Sequence, residues 1–118
     1  MSKAAIVVLA DTETHGDLGR IANAIETAKE LKNANDEVKI IFDGAGVKWV
    51  PKLSDETNKL HSSFEMLKDN IAGVCSFCSN AFGVKNAAQA SGVKLLDEFE
   101  GHPSLKQYLD KGYQVITF

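Results

Sequence analysis

Ala4-Ala5-Ile6-Val7-Val8-Leu9-Ala10 is an unbroken run of seven apolar residues, β-branched at its centre, and few folds can accommodate one. Without polar alternation it reads as a strand buried on both faces. Such strands belong to parallel sheets covered by helices on either side. The chain turns polar at once over Asp11 to Gly16. Leu18, Ile21, Ala22, Ile25, Ala28 and Leu31 then recur at helical spacing. Asp17 is the expected N-cap, and Lys29 and Lys32 stand at the negative end of the helix dipole.

The alternation continues. Val38 to Phe42 reads as a second strand, broken by Asp43-Gly44-Ala45-Gly46. Leu60, Phe64, Leu67 and Ile71 share one stripe and predict a helix over 55–70. Ile71 to Phe77 is a third apolar run, followed by an alanine-rich helix over 80–91 that Gly92 stops. Val93 to Leu96 reads as a short strand. Pro103 and Gly112 frame a last helix, and Tyr113 to Phe118 forms a closing strand. The 118 residues thus predict one α/β domain, 1–118. Its expected architecture is a three-layer αβα sandwich with a mostly parallel, about five-stranded sheet, flavodoxin-like in appearance, and the Ala4–Ala10 strand central. Ligands in such folds bind beyond the carboxyl ends of the strands. Those ends carry the loops Asp11 to Gly16, Asp43 to Pro51 and Cys75 to Asn80.

Charge and length exclude some classes. Sixteen acids against 13 bases give a net charge of −3, which disfavours capture of nucleic acid. No apolar run approaches the ~20 residues that span a bilayer, and the first run is too short for a secretory signal. A cytoplasmic location is expected. Two cysteines in a reducing compartment point to chemistry or simple burial rather than to a disulfide framework.

The motif with the most chemical content is Cys75-Ser76-Phe77-Cys78, at the junction of the third strand and the helix after it. Free N–H groups at a helix start favour a thiolate, so Cys75 is expected to have a lowered pKa, with Cys78 resolving or sharing what it carries. The alternative is two small buried apolar residues. A Cys-x-x-Cys pair is also half of a zinc site, with His15, His61 and His102 as candidates to complete it. No second cysteine pair and no His-x-x-x-His spacing supports that, so neither metal nor cofactor is expected. In the first loop Thr12 and Thr14 suit a phosphate, but Asp11, Glu13 and Asp17 repel one, which disfavours flavin. Trp49 stands where a third glycine belongs after Gly44 and Gly46, so no dinucleotide fingerprint exists. Val47-Lys48-Trp49-Val50-Pro51 is apolar for a loop. It is expected to cover a pocket or meet another subunit, against the alternative that Trp49 folds onto its own domain.

Taken in order, these residues resemble the DsrE/DsrF-like family, which includes TusD and YchN-type sulfur-relay proteins. The likeness rests on Ala5-Ile6-Val7-Val8-Leu9, on Phe42-Asp43-Gly44-Ala45-Gly46-Val47, on Cys75-Ser76-Phe77-Cys78 followed after four intervening residues by Gly83, and on the closing Gly112-Tyr113-Gln114-Val115-Ile116-Thr117-Phe118. The resemblance implies a five-stranded α/β domain that assembles as a homo-oligomer (dimer, trimer or hexamer). It also implies a sulfurtransferase-like carrier that holds a persulfide on Cys75, with Cys78 as an extra thiol and protein donor and acceptor as partners. Ala81-Phe82 stands where many members have an arginine. His15 and Asp43, on neighbouring strand ends, are the residues expected to tune the thiol. Two other readings compete: a non-catalytic subunit or small-ligand-binding module of the same fold, and a thioredoxin-like reductase, for which Pro51 and Pro103 are poorly placed.

Overall fold

A computed structural model describes residues 1–118. Five strands, β1 (Lys3–Val8), β2 (Glu37–Phe42), β3 (Ile71–Cys75), β4 (Leu95–Leu96) and β5 (Gln114–Thr117), form one sheet in the order β4-β3-β2-β1-β5. Every pairing is parallel. Six helices accompany it: α1 (His15–Asn33), α2 (Trp49–Ser54), α3 (His61–Met66), α4 (Ser76–Ala81), α5 (Lys85–Ala90) and α6 (Leu105–Asp110). The αβα sandwich expected from the alternation is the fold observed. β1 lies inside the sheet, between β2 and β5, although β2 holds the middle position.

The unequal layers follow from handedness. The chain steps from β1 to β4 in one direction, and right-handed crossovers put all the intervening helices on one face. The return from β4 to β5 steps the other way, so α6 lies on the opposite face. The apolar core divides accordingly. Ile6, Val8, Ile40 and Phe42 face the α1–α5 side with Ile21, Ile25, Leu53, Phe64 and Leu67. Ala5, Val7 and Ile41 face α6 with Tyr108 and Tyr113. Alternate residues of β1 serve the two cores, so no polar residue fits anywhere in its centre.

Local chemistry corrects several boundaries. Thr14, not Asp17, caps α1. Its Oγ1 accepts the Asp17 N–H at 3.1 Å, and the Asp17 carboxylate accepts the Thr14 N–H at 3.1 Å, a reciprocal capping box. The helix expected over 55–70 is only the short α3. Asp55 Oδ1 accepts from Thr57 N–H and Asn58 Oδ1 from Leu60 N–H, and these side-chain turns outcompete helical pairing. The helix expected over 80–91 is two, because Gly83 at φ +70° ends the first.

The apolar loop is also corrected. Gly44–Lys48 forms a 3-10 turn that runs into α2, and Val47, Trp49, Val50 and Leu53 are buried in the larger core. Trp49 Nε1–H donates to the carbonyls of Ala10 and Asp11 at 3.1 and 3.0 Å. The segment therefore fastens α2 to the end of β1, with Ala45 and Pro51 its only half-exposed apolar residues. Trp49→Phe leaves both carbonyls without this donor. It is expected to lower stability by about 1–2 kcal/mol in urea titrations. Wild-type Trp49 should emit at short wavelength and resist acrylamide quenching. Emission typical of a solvated indole would show that the loop does not close onto the domain.

Candidate functional site

Register brings the site together. Phe42 pairs with Val74, so Asp43 leaves β2 beside Cys75, the last residue of β3. Cys75 pairs with Leu96, so the chain leaving β4 rises next to it. That chain makes a tight turn, with Phe99 and His102 exchanging backbone hydrogen bonds at 2.9 and 2.8 Å. Glu100 and Gly101 hold its corner at φ +50° and +83°. Two positive-φ residues between paired flanks form a hairpin corner, a conformation that glycine adopts without steric cost. The turn is fixed to α4 by Phe77 N–H, which donates to Gly101 O at 2.9 Å, and by the Phe77 ring, 4.7 Å from that of His102.

Asp43, Cys75, Cys78 and His102 consequently converge, each offering one sulfur, nitrogen or oxygen atom within 4.8 Å of all the others. Cys75 Sγ lies 3.4 Å from His102 Nδ1 and accepts the Cys78 N–H at 3.3 Å. The Cys78 thiol donates to Asp43 Oδ1 at 3.5 Å. Asp43 Oδ1 also accepts from Gly44 N–H at 2.8 Å, which fixes the carboxylate as it caps the following 3-10 turn. Both thiols are free and buried, Cys75 completely.

Burial reverses one expectation. The Cys75 thiol is pushed up to about 12, chiefly by loss of solvation, and the negative charge of Asp43 adds to the rise. The Cys78 N–H acts in the opposite sense. The expected lowering rested on a helix start, but α4 has six residues and supplies Cys75 Sγ with a single N–H. Desolvation wins.

Cys75, Cys78 and Asp43 are thus brought together, whereas His15 is an exposed residue at the start of α1, outside the cluster. His102 occupies the place beside the thiol for which His15 was expected. Phe82, at the position of the missing arginine, carries Lys48 Nζ over its ring, 5.4 Å from the centroid. Lys48 in turn pairs with Asp11 at 2.6 Å, and that pairing lowers the Asp11 pKa. Phe77, whose ring stacks on His102, and Phe99, on the turn that carries His102, have 58% and 63% of their surfaces exposed.

Fold and site together define a small parallel αβα protein with two thiols at the carboxyl end of its third strand. The chain belongs to the DsrE/DsrF-like family, which it matches over residues 4–118. It is 45% identical over 89 residues to an uncharacterized protein of Methanocaldococcus jannaschii, covering 75% of this chain and 72% of that one. It also shares its fold with a conserved protein of unknown function from Bacteroides thetaiotaomicron. That structure aligns with a TM-score of 0.64 at 22% identity, over 97% of this chain and 94% of the other. No helix is long and apolar enough to cross a membrane.

Proposed function

We propose that the chain is a sulfur-relay protein that carries sulfane sulfur as a persulfide on Cys75. The observation that carries this reading is the contact of Cys75 Sγ with His102 Nδ1 at 3.4 Å, with Cys78 alongside. Cys75 attacks the terminal sulfur of a donor persulfide, R–S–SH, while its proton passes to Nδ1. The donor S–S bond breaks, R–S⁻ leaves and takes a proton, and Cys75–S–SH remains. No net oxidation occurs and no cofactor is consumed. The terminal sulfur then moves to an acceptor thiol by the same exchange, with Cys78 as the nearest acceptor. A base at hydrogen-bond reach matters because the thiol is not ionised near neutrality.

Access requires the Phe99–His102 turn to lift, since Gly101 and His102 lie against the sulfur. The exposed rings of Phe77 and Phe99 are the surface on which a protein donor or acceptor docks.

Complete burial and a raised pKa favour a second reading, a binding subunit in which both thiols only fill space. Intact mass after incubation with a persulfide donor separates the two. Wild type is expected to gain one sulfur that reductant removes, and Cys75→Ser to gain none. If Cys75→Ser still loads, the carrier is not Cys75. If wild type gains nothing, the binding-subunit reading stands.

A further inference from the structure

We infer that Asp43, Cys75, Cys78 and His102 form a tetrahedral site for a zinc-class divalent ion, a property that does not depend on persulfide chemistry. Sequence spacing gave no reason to expect it, because the pair that completes Cys75 and Cys78 comes from two other segments, 32 residues before Cys75 and 27 after it. The sheet register brings them to one point. The donor set is two thiols, an imidazole and a carboxylate, which together suit zinc or cobalt and not the all-oxygen shells of magnesium or calcium.

The spacing of the four atoms is compatible with a tetrahedral metal site. With Zn–S near 2.3 Å and Zn–N and Zn–O near 2.1 Å, tetrahedral geometry puts sulfur about 3.5–3.6 Å from nitrogen or oxygen, and the two sulfurs about 3.8 Å apart. Cys75 Sγ to His102 Nδ1 is 3.4 Å and Cys78 Sγ to Asp43 Oδ1 is 3.5 Å. No pair among the four atoms exceeds 4.8 Å. An ion at their centre needs the longest of these separations to close by up to about 1 Å. The Cys78–Asp43 hydrogen bond and the Cys75–His102 contact are two edges of the same tetrahedron, and the ion replaces the hydrogens of both thiols.

Two outer contacts orient the ligands. The second Asp43 interaction, from Gly44 N–H at 2.8 Å, aims the carboxylate, and the Phe77 ring stacked on His102 fixes the imidazole plane. Asp43 and His102 are half-buried, and the ion approaches from their side. Binding balances as M²⁺ plus two thiols giving the metal dithiolate and two released protons, with neutral imidazole and ionised carboxylate unchanged.

Bound metal and a persulfide on Cys75 exclude each other, because both use the same sulfur. The metal form is then a closed state in which neither thiol exchanges.

The experiment is a cobalt titration of the reduced, chelator-treated full chain, followed by zinc. The expected result is one Co²⁺ per chain, with the intense visible bands of tetrahedral cobalt and a near-ultraviolet thiolate-to-cobalt band. Cobalt binding should release two protons in weak buffer, and one equivalent of zinc should then bleach both bands with no further proton release. Cys75→Ser and Cys78→Ser should each weaken binding by more than about 100-fold, beyond the effect of losing an outer contact. His102→Ala and Asp43→Asn should weaken binding and change the band pattern, with circular dichroism reporting the fold of each variant. Weak octahedral bands without a thiolate transition, or a tetrahedral spectrum that survives in folded His102→Ala and Asp43→Asn, would overturn the assignment. The wild-type spectrum and proton count decide the matter even where a variant fails to fold. Sulfur loading of the metal-free chain is read separately by mass, so either proposal fails without the other.

Discussion

Gly46→Ala is expected to lower stability by about 3 kcal/mol or more, the upper end of what overpacking costs. The reason is contact, not backbone conformation. A Cβ on Gly46 would lie 2.0 Å from Val8 O, 2.7 Å from Val8 C and 3.3 Å from Leu9 Cα. All three are backbone atoms at the end of β1, which is paired on both sides and cannot yield. The turn must therefore move. Gly46 N–H donates to Asp43 O at 2.9 Å and Asp43 N–H to Val8 O at 3.0 Å, so the displacement reaches Asp43 and with it the thiol cluster. Gly19→Ala is the informative contrast. It lies within α1, meets nothing within 4 Å, and should stabilise by about 0.5–1 kcal/mol, as removal of a helical glycine does. Urea midpoints decide the matter. Equal midpoints for Gly46→Ala and wild type would mean that the 3-10 turn does not sit against β1.

That close approach marks where sequence reading stops. The double burial of β1 was legible because seven apolar residues in a row have no other economical use in a chain of 118. The same logic misled over Val47 to Pro51. An apolar loop is informative about burial but not about what covers it, and here the cover is the domain's own larger core. Helix boundaries failed where Asp55 and Asn58 bond to nearby backbone, because periodic Leu60, Phe64 and Leu67 fit a long helix equally well. In the candidate site, Cys75, Cys78 and Asp43 were accessible from strand-end logic. His102 entered only as one of three histidines without a suitable spacing. Its position depends on β4, a strand of two residues, and on a Glu100-Gly101 corner whose pairing is fixed by register with β3. A two-residue corner ending in glycine was the available signal. It pointed to a turn but not to the element beneath it.

Cys75 is expected to react with iodoacetamide at pH 7.5 at least about 100-fold more slowly than a free thiol, and slower again by the cost of lifting the Phe99–His102 turn. The magnitude comes from two opposing effects. A thiol held at about 12 has a thiolate fraction some 10³-fold or more below that of an unperturbed cysteine near 8.5. The greater nucleophilicity of the more basic sulfur restores about 30-fold. The alkylation rate should rise tenfold per pH unit from 7 to 10, without a plateau. Stability must vary with pH in the matching sense. Because the folded pKa lies above the unfolded one, the folded chain holds the proton more tightly. The contribution is complete below about pH 8.5 and is lost as pH rises from there towards 12. Sulfur loading should behave differently, since His102 Nδ1 at 3.4 Å can take the proton during attack. In wild type its rate should change little over the range in which alkylation climbs. In His102→Ala it should fall about 10²-fold, the usual yield of a positioned base, and acquire the slope of alkylation. A merely structural His102 would lower both rates together and leave both slopes alone. Fast alkylation that is flat with pH below 8 would instead mean that Cys75 and His102 already exist as thiolate and imidazolium. Burial would then not govern this sulfur, and the step that exposes Cys75 would be motion of the Phe99–His102 turn alone.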